Sequence, residues 1–95
     1  MCIRDRTSLC AHYLVREKRG AGAADAVANF HLTNGARIQY INWLGDTSAQ
    51  GMARSLGLMV NYYYHLPAIE GNHEAYAAQG EIKVSSAVRA LLKKL

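Results

Sequence analysis

Cysteine is scarce in this 95-residue chain, and proline, tryptophan and phenylalanine occur once each. Two cysteines, Cys2 and Cys10, cannot staple a small domain, and no C-x-x-C or Cys/His spacing suits a metal ion. Such cysteine usage fits a reducing compartment, so a cytoplasmic location is expected. No apolar run reaches membrane-spanning length, and no secretory pattern is read at the N-terminus, so no membrane partner is expected. The glycine-containing stretch Gly20-Ala21-Gly22-Ala23-Ala24 lacks both G-x-G-x-x-G and P-loop spacing and reads as a linker rather than a phosphate cradle. No G-x-S-x-G elbow surrounds Ser55, which points to packing or capping, not nucleophilic attack. Lys93-Lys94-Leu95 lacks the small residue that opens a peroxisomal address. Acidic residues are the minority: 7 against 11 basic ones give a formal net charge of +4. That bias suits a phosphate-rich ligand, but the clusters Arg16, Lys18, Arg19 and Lys93, Lys94 read equally as solvated surface.

What is present is enough for one domain or part of one. Hydrophobic residues make up 51%, sufficient for a core, although a chain this short buries a modest fraction of its surface. The first six residues, Met1 to Arg6, resemble a translated adapter sequence and are set apart as a non-native leader, leaving residues 7–95. Without their two arginines and one aspartate the formal charge falls from +4 to +3.

The stretch from Val27 to Ala36 carries the strongest local signal. Asn34-Gly35 is the preferred pair for a two-residue type I′ turn, which needs positive φ at both positions. A hairpin is therefore expected from Ala26 to Leu44. Its register would place His31 opposite Ile38, Asn29 opposite Tyr40 and Val27 opposite Asn42. Ala28, Phe30 and Leu32 would form the core face, and His31, Asn29, Tyr40 and Asn42 the other. A histidine on a rigid strand in partly apolar surroundings is well placed to present a proton.

Around this hairpin the chain alternates. Thr7 or Ser8 caps an expected helix to about Lys18, with Leu9, Cys10, Tyr13 and Leu14 as its apolar stripe. Thr47 and Gln50 form a capping box for a helix through Leu56. Leu58 to Leu66 reads as a strand, with Leu58, Val60, Tyr62 and Tyr64 on one face. Pro67 opens a further helix that Gly80 could end. Ser85 or Ser86 caps the last helix, whose stripe is Val88, Leu91, Leu92 and Leu95. The fold class is α+β with mainly antiparallel pairing.

Three blocks resemble a known family: Ala28-Asn29-Phe30-His31-Leu32-Thr33-Asn34-Gly35-Ala36, Ile41-Asn42-Trp43-Leu44-Gly45-Asp46, and Ser55-Leu56-Gly57-Leu58-Met59-Val60-Asn61-Tyr62. With the upstream Cys10-Ala11-His12-Tyr13-Leu14, they are similar to the C-terminal part of malonyl-CoA decarboxylase, in the same order and spacing. Ala26 departs from the family's usual proline. The resemblance implies a truncated domain of the GCN5-related acetyltransferase fold, of which residues 7–95 would hold about half. It implies malonyl-CoA as substrate, no cofactor, and a homo-oligomeric complete protein. His31 matches the family's catalytic histidine, the proton donor to the enolate left when the carboxylate departs, a role that suits an imidazole because it titrates near neutrality. Tyr64, in Asn61-Tyr62-Tyr63-Tyr64, matches a tyrosine that lines the site, although a core aromatic on a strand would look the same. Asn29 and Tyr40 share the expected face with His31 and are candidate substrate-binding residues. The family's catalytic serine falls upstream of this chain, so the fragment alone is expected to be inactive and, lacking sheet neighbours, poorly stable.

Two other classes compete. A coenzyme A-binding acyltransferase-like domain without decarboxylase activity would need a phosphate-binding glycine loop, and none is in this chain. A basic nucleic-acid-binding module is permitted by six tyrosines and a pI of about 9.3. No RNP or helix-turn-helix signature supports it, so no nucleic-acid partner is expected. His12, His65 and His73 have no partner spacing and read as surface or structural.

Overall fold

Thr7, Ser8, Ala11 and Leu14 recur at the spacing of one helical face, and all four are buried in α1 (Ile3–Arg16). The computed structural model describes residues 3–43 and 58–93 of the chain. Helix α1 starts before the expected caps Thr7 and Ser8, and two residues of the expected stripe, Leu9 and Tyr13, face outward instead. Three of the four inward positions, Thr7, Ser8 and Ala11, carry small side chains.

The stretch read as a linker is a small hairpin. Strands β1 (Lys18–Arg19) and β2 (Gly22–Ala23) pair antiparallel across Gly20-Ala21, with Gly20 at φ +66°. A glycine at the first central position of a two-residue loop is the signal for this turn.

The main correction concerns residues 26–33. They form a helix, α2 (Ala26–Thr33), not the first strand of a hairpin. Asp25 accepts a hydrogen bond from the Ala28 amide (2.8 Å) and caps its start. At its end the Ala36 amide bonds His31 O and the Gly35 amide bonds Leu32 O, each at 3.1 Å. This is a Schellman cap with Gly35 as the left-handed residue at φ +90°. Asn34 stays at φ −87°, so only one of the two positive φ values needed for a type I′ turn occurs. Ala28 and Leu32, four apart, are buried, whereas Phe30 is 62% exposed. The burial has a helical period, and the expected alternation fails.

Strand β3 (Arg37–Trp43) therefore takes a different partner. It pairs antiparallel with β4 (Leu58–Tyr63), placing Ile38 opposite Tyr62 and Ile41 opposite Val60, with an irregularity between Ile38 and Tyr40. On β4, Leu58, Val60 and Tyr62 are half-buried while Met59, Asn61 and Tyr63 are exposed, which is the alternation expected from the sequence. On its other side β3 meets Val84 in a parallel bridge, with Ile38 N bonded to Lys83 O and Ser85 N to Ile38 O.

A 3₁₀ turn (Leu66–Ala68) containing Pro67 leads into α3 (Ile69–Gln79), which ends at the left-handed Gly80. Ser85 caps α4 (Ser86–Leu92) through the Val88 amide, and its hydroxyl also donates to Gln39 O. Helices α1 and α4 pack on each other and on β3, while α2 packs on α3 and β2. The core joins Ala11, Leu14, Ala28, Leu32, Ile38, Ile41, Tyr76 and Val88. Helix and sheet are thus mixed, and among the described residues both two-stranded sheets are antiparallel. The expected capping box at Thr47 and Gln50, and Ser55, lie outside the described residues. Among the described residues no helix is long and apolar enough to cross a membrane.

One hydroxyl ties three of these elements together. Tyr76 of α3 is buried; its Oη accepts from the Ala23 amide (2.8 Å) and donates to Asn29 Oδ1 (2.6 Å). Tyr76→Phe in the complete protein leaves a buried amide and an amide oxygen without this partner. The expected cost is about 1–3 kcal/mol, read as a lower Tm. An unchanged Tm would show that the hydroxyl contributes nothing.

Candidate functional site

Residues two apart on a helix lie about 200° apart around its axis. On α2, Asn29 and His31 therefore flank the buried Ala28–Leu32 line on opposite sides. Asn29 turns toward α3, where it accepts from Tyr76. His31 turns toward the end of β4. The expected shared face of His31, Asn29 and Tyr40 was a property of the hairpin and does not exist in the helix. Tyr40 sits on β3 opposite Asn61, half exposed.

The structure brings His31 and Tyr64 together. His31 Nδ1 and Tyr64 Oη lie 2.6 Å apart across 33 residues of sequence. A phenol serves this bond in either state of the ring: its O–H donates to a bare Nδ1, or its oxygen accepts from an Nδ1–H. The opposite nitrogen, Nε2, is left to exchange a proton. The two rings meet edge to face at 5.9 Å.

Two further aromatics surround the imidazole. Tyr62 stacks on it, with centroids 4.2 Å apart and planes 18° from parallel. Phe30 approaches edge-on at 5.2 Å and 81°. Tyr62 is missing from the expected site, although its signal is visible: Tyr62 and Tyr64 share one face of the strand expected to reach Leu66, which ends at Tyr63 in the structure. Burial, and then the nearby charges of Asp25, Cys10 and Tyr64, hold the Tyr62 phenol above its ordinary pKa. Burial, followed by Asp25, likewise pushes the Cys10 thiol up, away from nucleophilic character.

The remaining histidines stay apart from this cluster. His73 Nδ1–H donates to Thr33 O (2.6 Å), at the C-terminal end of α2. Asn72 Nδ2 donates to Gly35 O beside it (3.1 Å). Both satisfy carbonyls where α2 ends. His65 stacks on the exposed Tyr63, and His12 Nε2 is buried without a hydrogen-bond partner. Among the described residues no group of three or more His, Cys, Asp or Glu could hold a metal ion.

Comparison with known proteins places this geometry in context. Residues 3–95 match the family model described as malonyl-CoA decarboxylase C-terminal domain. The chain is 51% identical over 80 residues to the mitochondrial malonyl-CoA decarboxylase of Anser anser anser, spanning 84% of this chain and 16% of that protein. It is 45% identical over 84 residues to the mitochondrial enzyme of Rattus norvegicus, spanning 88% of this chain and 17% of that one. The crystal structure of malonyl-CoA decarboxylase from Rhodopseudomonas palustris superposes with a TM-score of 0.88 at 48% identity, covering 94% of this chain and 21% of that one. The structure from Cupriavidus metallidurans gives 0.84 at 47%, covering 94% of this chain and 22% of that one. The chain thus spans about a fifth or less of each relative. The mitochondrial relatives overturn the expected cytoplasmic location, since a low cysteine count is equally at home in another reducing compartment.

Proposed function

The chain belongs to the malonyl-CoA decarboxylase family, and on that premise we propose that it forms the proton-delivering part of an enzyme converting malonyl-CoA to acetyl-CoA and CO2. The observation that carries this reading is the 2.6 Å bond between His31 and Tyr64. In decarboxylation the bond between the α-carbon and the carboxylate breaks. Its electron pair moves into the thioester as an enolate, and CO2 departs. The α-carbon then takes a proton, which His31 gives from Nε2. Tyr64 keeps the ring oriented throughout, because its hydroxyl can accept from Nδ1–H both before and after that transfer. Helix α2 carries His31, and Tyr64 follows directly on the end of β4. The Tyr62 and Phe30 rings flank the imidazole on its face and at its edge. The domain in which this happens has the GCN5-related acetyltransferase fold, with this chain as its C-terminal part.

The test uses the complete enzyme carrying this segment. Malonyl-CoA consumption is followed together with acetyl-CoA and CO2 formation, in heavy water so that deuterium enters the product methyl group. Equal yields of both products are expected. Acyl transfer to an added amine without release of CO2 would instead establish the acyltransferase alternative. Tyr64→Phe removes one hydrogen bond and retains the ring, so kcat should fall by about 10-fold, the cost of roughly 1.4 kcal/mol, with KM little changed. Unaltered turnover in a folded Tyr64→Phe enzyme would remove Tyr64 from the site.

A further inference from the structure

A hydrogen bond to Nδ1 fixes one point of an imidazole and leaves the ring free to tilt about that point. The torsion about the bond to the ring is broad and roughly two-fold, so a second constraint is needed to aim Nε2. Tyr62 supplies a flat surface 4.2 Å from the imidazole and 18° from parallel. We propose that Tyr62 is a positioning residue, whose ring face sets the plane of His31 while Tyr64 sets its rotation within that plane.

This inference rests on the reading of His31 as proton donor. Its structural basis is independent of Tyr64's hydroxyl. Tyr62 lies within β4, directly opposite the fully buried Ile38. Its ring is anchored at the root by the sheet. Two residues on, Tyr64 follows on the same side of the chain, so one extended segment delivers both constraints. Tyr62 pairs with Ile38 in the sheet and stacks on His31 of α2, so the ring spans from the sheet to the helix that carries His31. The phenol remains neutral and places no charge against the imidazole. The stacked face, not the hydroxyl, is therefore the working part, and phenylalanine should substitute for it.

The experiment compares Tyr62→Phe and Tyr62→Leu in the complete enzyme. Tyr62→Phe should keep kcat within about two-fold of the parent. Tyr62→Leu should lower kcat by about 10- to 100-fold while KM for malonyl-CoA stays within two-fold, since misaiming affects the transition state more than the ground state. A spectroscopic readout separates positioning from general damage. With histidine labelled in its ring, the His31 ring protons should move downfield in Tyr62→Leu, having lost the shielding of a stacked aromatic, and stay in place in Tyr62→Phe. Equal loss of kcat in both variants would overturn the inference by assigning the role to the hydroxyl. Parent-like kcat in Tyr62→Leu would overturn it as well, as would unmoved His31 signals. His31→Ala distinguishes the two readings. If it leaves turnover intact, the proton-donor reading fails; if it abolishes turnover while Tyr62→Leu does not, only the positioning role fails.

Discussion

His31→Ala in the complete enzyme should lower kcat by roughly 10²–10⁴-fold, the range that general acid catalysis contributes. Acyl-CoA affinity should change little, because in the proposed mechanism the proton is delivered only once charge has developed on the substrate. The expectation follows from the place of His31 in the fold. It alone of the described histidines bonds a tyrosine hydroxyl and sits within a cluster of three aromatic rings. His65, stacked on an exposed tyrosine on the surface, is the matching control, and His65→Ala should turn over at a near-parent rate. The assay is acetyl-CoA formation, with circular dichroism of each variant alongside. A folded His31→Ala enzyme that decarboxylates at the parent rate would exclude His31 from the mechanism.

Gly35→Ala should be among the most damaging single changes to stability. The backbone there stands at φ +90°, which costs any L side chain strain. A Cβ would also fall 2.5 Å from Ile69 O and 2.7 Å from Ile69 Cγ2, at the first residue of α3. Backbone oxygen cannot rotate away, so α2 and α3 must separate. A loss of more than about 2 kcal/mol is expected, because strain and overlap add. Gly20→Ala isolates the first of these: φ is +66° but no atom lies within 4 Å of the added carbon. It should cost about 1 kcal/mol. Thermal unfolding of both variants in the complete protein makes the comparison, and equal losses would show that the contact with Ile69 carries no weight.

These two residues also mark where sequence reading succeeds and fails. Asn34-Gly35 is a strong signal for a reversal of the chain, and the chain does reverse there. The same pair, however, fits a helix end as well as a hairpin, since both place glycine at positive φ. What decides between them is the other end of the segment. Asp25 stands eleven positions before Ala36, the length of a capped two-turn helix, and residues 26–33 hold only one valine and one threonine among their β-branched types. Weighting the cap against the turn would have given the helix. Strand β4 was legible because Met59, Asn61 and Tyr63 alternate with Leu58, Val60 and Tyr62, and tertiary packing follows that alternation. The punctuation at Pro67, Gly80 and Ser85 was legible for local reasons that packing does not override. Of the candidate site, His31 and Tyr64 were singled out through motif resemblance, and the fold brings their side chains together. Asn29 was misplaced because its neighbour on the expected strand is, on a helix, on the far side. Tyr62 was passed over because a tyrosine on a buried strand face resembles any other core residue until its partner ring is located.

The bond between His31 and Tyr64 closes a loop of 33 residues, and those from Tyr76 to Asn29 and Ala23 close loops of 47 and 53. None of these contacts is available to a chain that has formed only its individual helices. Joining distant segments spends loop entropy before any contact returns it, so such pairings form late and slow the search for the native state. During synthesis His31 emerges before the residues that close its helix, Gly35 and Ala36, and it has no partner until Tyr64 has followed it out. The imidazole is therefore aimed only in a molecule whose long-range topology is complete, and nascent or partly unfolded chains carry the histidine without its orientation.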